Sequence, residues 1–179
     1  MSNFMVAFNE DAAYDRTSNQ MVAEGETMSH YQQNLVIDAD PSAVYAAIAT
    51  PAGLRGWWTP DCTADAHAGG TAHFRFGDTW KDMSIEQLDT NRGVRWFVTG
   101  SHIAMLAKKD EWTGTEIAFR LTPTIDGKTR LDFEHVGLVP GLECYDRCNR
   151  GWSHFLASLR QYAETGSGTP WVTAQACAA

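Results

Sequence analysis

The chain has 179 residues, 44% of them hydrophobic and 11% aromatic with seven Trp, which suits one domain with a sizeable core. Against 14 Lys+Arg stand 22 Asp+Glu, a formal net charge of -8. This balance, with no basic run, argues against non-specific binding to nucleic-acid phosphates and disfavours an anionic membrane surface.

No stretch approaches the roughly 20 apolar residues of a membrane-spanning helix. The first residues lack the basic start and apolar core of a secretory signal, so a cytoplasmic location is expected. Cys62, Cys144, Cys148 and Cys177 read as free thiols rather than as a disulfide framework.

Residues 1–28 are polar and aperiodic, and are expected to form a flexible extension. Residues 31–37 alternate as a strand, with Gln33, Leu35 and Ile37 on one face. Asp40 then reads as an N-cap and Pro41 as the first helical residue. Val44, Tyr45 and Ile48 give this helix an apolar side, and Thr50-Pro51 ends it. A short helical turn is expected over 54–58, through Trp57 and Trp58.

Strands follow in quick succession. Residues 71–76 carry Ala72, Phe74 and Phe76 on one face, and Gly77-Asp78 is a turn. Strands over 80–88 and around Val94, Trp96 and Val98 come next, separated by a turn at 89–93. Residues 116–121 present Ile117, Phe119 and Leu121 on one face. A hairpin turn at 125–128 leads to 129–136, with Leu131, Phe133 and His135 facing inward.

From about 143 to 164 the period changes. Tyr145, Cys148, Trp152, Phe155, Leu159 and Tyr162 recur at three- and four-residue steps, one face of a long helix. Gly166-Ser167-Gly168 stops it, and residues 172–179 read as a frayed tail.

A short helix, a two-tryptophan corner, a run of antiparallel strands and one long aromatic helix describe a sheet wrapped around a helix. Five stretches carry a resemblance. They are 39–48 (Ala-Asp-Pro-Ser-Ala-Val-Tyr-Ala-Ala-Ile), 53–58 (Gly-Leu-Arg-Gly-Trp-Trp), 69–78 (Gly-Gly-Thr-Ala-His-Phe-Arg-Phe-Gly-Asp), 114–119 (Gly-Thr-Glu-Ile-Ala-Phe) and 151–159 (Gly-Trp-Ser-His-Phe-Leu-Ala-Ser-Leu). In that order they resemble the SRPBCC (START-like) superfamily, in the branch named after the C-terminal domain of the Hsp90-ATPase activator. The likeness covers about residues 29–171. It implies an α+β helix-grip fold, a curled antiparallel β-sheet around a long C-terminal helix, with two short helices after the first strand. It also implies a space between sheet and helix that in many relatives takes apolar ligands.

The leading expectation is therefore a small-molecule-binding module for a hydrophobic, aromatic or lipid ligand, and a non-enzyme. The apolar lining is expected from Trp58, Phe74, Phe76, Trp96, Phe119, Phe133, Trp152 and Phe155. His135, Tyr145 and Gln33 are expected to orient the ligand. A cyclase or dehydratase using His135 as acid/base is one alternative, and a chaperone-interacting protein is another. His154 lies to the side of the helical stripe and reads as a rim residue. Cys144 and Cys148 share a helix face, but one such pair is not a zinc signature, and they read as small hydrophobes. No glycine run has phosphate-loop context. No catalytic residue, metal or cofactor is assigned, and a homodimer is left open.

Overall fold

The computed structural model describes residues 30–172. The expected extension over 1–28 and the tail beyond Val172 lie outside the described residues.

Strand β1 (Tyr31–Ile37) leads into helices α1 (Pro41–Ala49) and α2 (Pro51–Trp57). Asp40 caps α1, its carboxylate accepting from the Ser42 and Ala43 amides, with Pro41 in the first turn. Thr50 ends α1 and caps α2, its hydroxyl accepting from Gly53 N–H at 3.1 Å. A side chain at Gly53 would run into the α1 backbone at Ala46 and Ala47. One at Gly56 would run into the Tyr162 ring. These two glycines let α2 lie close on its neighbours, and α2 starts three residues earlier than its sequence pattern indicates because Pro51 begins it.

Six strands follow: β2 (Cys62–Ala64), β3 (Thr71–Phe76), β4 (Thr79–Asp89), β5 (Gly93–His102), β6 (Glu116–Pro123) and β7 (Thr129–Val136). With β1 they form one antiparallel sheet in the order β1-β7-β6-β5-β4-β3-β2. The three-residue β2 is too short for its alternation to stand out in the sequence. The first strand closes against the last, Tyr31 opposite His135 and Ile37 opposite Thr129. Register shifts in the β4–β5 pair, at Asp82/Met83 and Ile85/Gln87, bend the sheet.

Helix α3 (Tyr145–Thr165) lies across the concave face. It starts two residues later than its periodicity suggests. Its cap residue, Cys144, makes no side-chain cap bond. Glu111, from the long β5–β6 connection, supplies the acceptors instead, taking the Glu143 and Cys144 amides at 3.1 and 2.8 Å. Glu143 in return accepts from the Ala107 and Lys108 amides. This exchange fastens the β5–β6 connection to the head of α3.

The buried side of α3 is centred on Trp152, Leu156, Ser158 and Leu159, with Cys148, Phe155 and Tyr162 half-buried beside it. Of the expected stripe, Trp152 and Leu159 lie at this centre, and Tyr145, Cys148, Phe155 and Tyr162 lie along its edge. The shift has a polar cause. Ser158 is 1% exposed because its hydroxyl ties α2 and the C-terminal segment to α3, donating to Trp57 O and accepting from Thr169 N–H.

Candidate functional site

Most of the space between sheet and α3 is occupied by rings. Trp57, Trp58, Trp96, Trp152, Phe74, Phe119 and Phe133 are all at most 2% exposed. Trp58 is the hub: it stacks on Trp57, Trp96 and Trp152 with centroids 5.6, 5.8 and 5.4 Å apart. Phe74 lies 4.3 Å from it, tilted. Stacked and edge-on pairs at such separations add to the gain from burial alone.

At the other end, beside the first half of α3, a cleft of about 180 Å³ remains. Trp58, Phe76, Trp152 and Phe155 form its apolar wall, with Trp112 from the β5–β6 connection. Trp171 closes one side. Gly166, in the left-handed conformation, turns the chain back along α3, and Trp171 N–H then donates to Trp58 O at 2.8 Å. His154, exposed, braces this segment by donating from Nε2 to Thr169 O.

Of the residues expected to meet a ligand, Trp58, Phe76, Trp152 and Phe155 border this cleft. Phe74, Trp96, Phe119 and Phe133 stand behind it in the packed block. Tyr145 is half-buried at the start of α3 and outside the lining. Gln33 sits at the far edge of the sheet, where it accepts from Tyr31 Oη.

His135 is fully buried and outside the cleft. Trp152 Nε1–H donates to its Nδ1 at 3.0 Å. Indole nitrogen is only a donor, so the His135 proton is on Nε2. It goes to Thr115 Oγ1 at 2.9 Å, and the Thr115 hydroxyl in turn donates to Trp112 O. Burial, reinforced by the charge on Lys81, pushes its pKa down to about 3. His135 is therefore a neutral core histidine with both nitrogens engaged.

Lys81 is the polar group on the cleft that its sequence context hides. It is 7% exposed. Its Nζ lies between two ring faces, 4.4 Å from the centroid of Phe76 and 4.3 Å from that of Trp112. Burial pushes its pKa down to about 8, with Cys148 and Cys144 pulling the other way. The Gly77-Asp78 turn fixes this position. The two-residue hairpin pairs Phe76 with Thr79, Phe74 with Lys81 and Ala72 with Met83, so Lys81 shares the inward face of Phe74.

Cys148 also borders the cleft and accepts from Trp112 Nε1–H at 3.1 Å. The Cys144 thiol donates to Cys148, which moves the Cys148 pKa down and the Cys144 pKa up. Among the described residues no group of three His, Cys, Asp or Glu is placed to hold a metal. No helix among them is long and apolar enough to cross a membrane.

Residues 38–164 match the family described as activator of Hsp90 ATPase homolog 1-like protein. The chain belongs to this family. The solution structure of the Aha1 dimer from Colwellia psychrerythraea is 32% identical, covering 79% of this chain and 100% of that one, with a TM-score of 0.65. Two more distant structures share the fold. Protein MLL2253 from Mesorhizobium loti is 20% identical, with 73% of this chain and 95% of that one covered and a TM-score of 0.60. CalU16 from Micromonospora echinospora is 19% identical, with 77% and 75% covered and a TM-score of 0.57. No curated protein matches the sequence.

Proposed function

We propose that this protein binds a small apolar or aromatic molecule in the cleft between the sheet and the first half of α3. The observation that carries the reading is the wall of Trp58, Phe76, Trp112, Trp152 and Phe155 around about 180 Å³ of space. For scale, an apolar cavity of roughly 150 Å³ takes up benzene. Affinity comes from apolar area withdrawn from water and from ring-on-ring contact. The Glu111–Glu143 exchange holds Trp112 in place, so little side-chain ordering is left to oppose binding. A cyclase or dehydratase role for His135 finds no support in this geometry, since both its nitrogens are committed inside the core.

Two measurements test the reading. Native mass spectrometry of freshly purified protein looks for a co-purified small molecule. Titration with the neutral dye N-phenyl-1-naphthylamine measures the cleft directly. Gly151 borders the cleft and has open space where a Cβ would stand. Gly151→Leu is expected to fill the cleft and abolish dye binding while the fold persists, leucine being the better helix former. Dye that fails to bind the wild type, or binds Gly151→Leu equally well, overturns the reading.

A further inference from the structure

An apolar pocket has no need of a buried cation, yet Lys81 is set in this one. An ammonium taken out of water without an anionic partner is costly. Two ring faces offset part of that cost. Among the described residues, no Asp or Glu lines the cleft, and Arg147 adds a second cation at its margin. The nearby carboxylates are committed. Glu111 holds the Glu143 and Cys144 amides, and Glu143 holds those of Ala107 and Lys108. Asp82, adjacent to Lys81 on β4 and so on the opposite face, pairs with His73. The Cys148 sulfur, which accepts from Trp112, favours the Lys81 charge from beside it but offsets only part of the cost of burial, which still holds the Lys81 pKa down. Thr79 supplies a second donor on the lining. Its Oγ1 accepts from Ala104 N–H at 3.1 Å, which leaves its own proton to give.

We infer that the ligand is an aromatic or apolar acid, with its carboxylate on Lys81 Nζ and Thr79 Oγ1 and its ring against Trp58, Trp152 and Phe155. This rests on the binding reading above and narrows it to one chemical class. The anion completes a charge-assisted hydrogen bond in a site of low polarity, where such bonds are strongest. A neutral analogue of the same shape keeps the ring contacts and leaves the ammonium unpaired. A cationic analogue adds like-charge repulsion to Lys81 and Arg147.

Equilibrium dialysis of the full chain against 2-naphthoate, 2-naphthamide and 2-naphthylmethylammonium tests this. The wild type is expected to hold the carboxylate about tenfold or more tighter than the amide, and the ammonium most weakly. Lys81→Met keeps a flexible side chain between the same rings. It is expected to bring naphthoate down to the amide's affinity, with the amide changed by less than about threefold. Because the wild-type ranking needs no variant, selection for an anion is decided even if Lys81→Met folds poorly. Equal binding of acid and amide overturns the inference and leaves the binding reading standing. So does a preference that survives Lys81→Met and disappears in Arg147→Gln. If none of the three binds the wild type, the binding reading falls and the inference with it.

Discussion

At the α2 end of the gripped space, Trp57, Trp96 and Phe119 form a closed block of stacked and edge-on rings around the inner side of Trp58. At the head of α3, Phe76, Trp112 and Phe155 are as aromatic, but they surround space and a lysine. The polar atoms differ in the same way. Trp57 Nε1–H is satisfied by Ala47 O at 2.9 Å, and His135 spends both nitrogens within the core. Lys81 Nζ instead lies over two ring faces, with Cys148 and Cys144 beside it favouring its charge. Aromatic content alone therefore does not mark a binding site. What distinguishes the two ends is where their polar groups are directed: those of the block bond within the core, whereas Lys81 lines the open cleft.

The largest effect should come from the closed block. Trp57→Ala removes a fully buried ring that cannot be replaced by collapse of its stacked neighbours. It is expected to cost about 3–5 kcal/mol in urea unfolding. A loss under about 1 kcal/mol would erase the contrast, since the block would then be as loosely filled as the cleft.

A smaller and pH-dependent effect is expected at Lys81. Its folded pKa of about 8 lies below its ordinary 10.5, so between these values the unfolded chain binds more protons. Below pH 8 the full penalty for the buried charge applies in the folded state. As pH rises from about 8 to 10.5 the penalty is relieved, and stability rises on this account. Lys81→Met lacks the ionisation. Its stability relative to wild type should therefore be greatest near neutral pH and decline across that window, by on the order of 3 kcal/mol. Denaturant unfolding at several pH values measures the difference curve. A flat curve would mean that the ammonium is well solvated, and the two ends would no longer differ in polar satisfaction.

The smallest effect should come from the cleft wall. Phe155 is half-buried, packing on Phe76 at 5.9 Å and edge-on against the exposed His154 ring at 5.0 Å. Phe155→Ala is expected to cost about 1–2 kcal/mol of stability while weakening binding of N-phenyl-1-naphthylamine. A core-sized loss would place Phe155 with the closed block instead.

The sequence by itself determined the architecture, because the devices that set it are local. The inward parity of Ala72, Phe74 and Phe76 follows from a period of two, and so does that of Leu131, Phe133 and His135. Asp40-Pro41 and Thr50-Pro51 set helix ends by chemistry within three residues. The change to a helical period near residue 145 announced the gripped helix, and the family resemblance agreed with it. Phe76, Trp152 and Phe155 border the cleft for the same reason: parity on a strand or a helix face says which way a ring points, whereas Trp58 reaches it from the end of α2.

Only the tertiary structure decided which rings fill and which surround. Phe74 and Phe76 have the same parity on one strand, yet Phe74 is packed under Trp58 while Phe76 borders space. The difference comes from what lies across the sheet. Trp112 reaches the cleft on a connection with no periodicity, fastened by a carboxylate 32 residues from the amide it caps. The tertiary partners of His135, Trp152 and Thr115, made it a neutral core group instead of an acid or base. Lys81 was half legible: the Gly77-Asp78 hairpin puts it opposite Phe74, on the inward face. A lysine is ordinarily a surface residue, and only the rings that arrive from β3 and the β5–β6 connection keep this one inside.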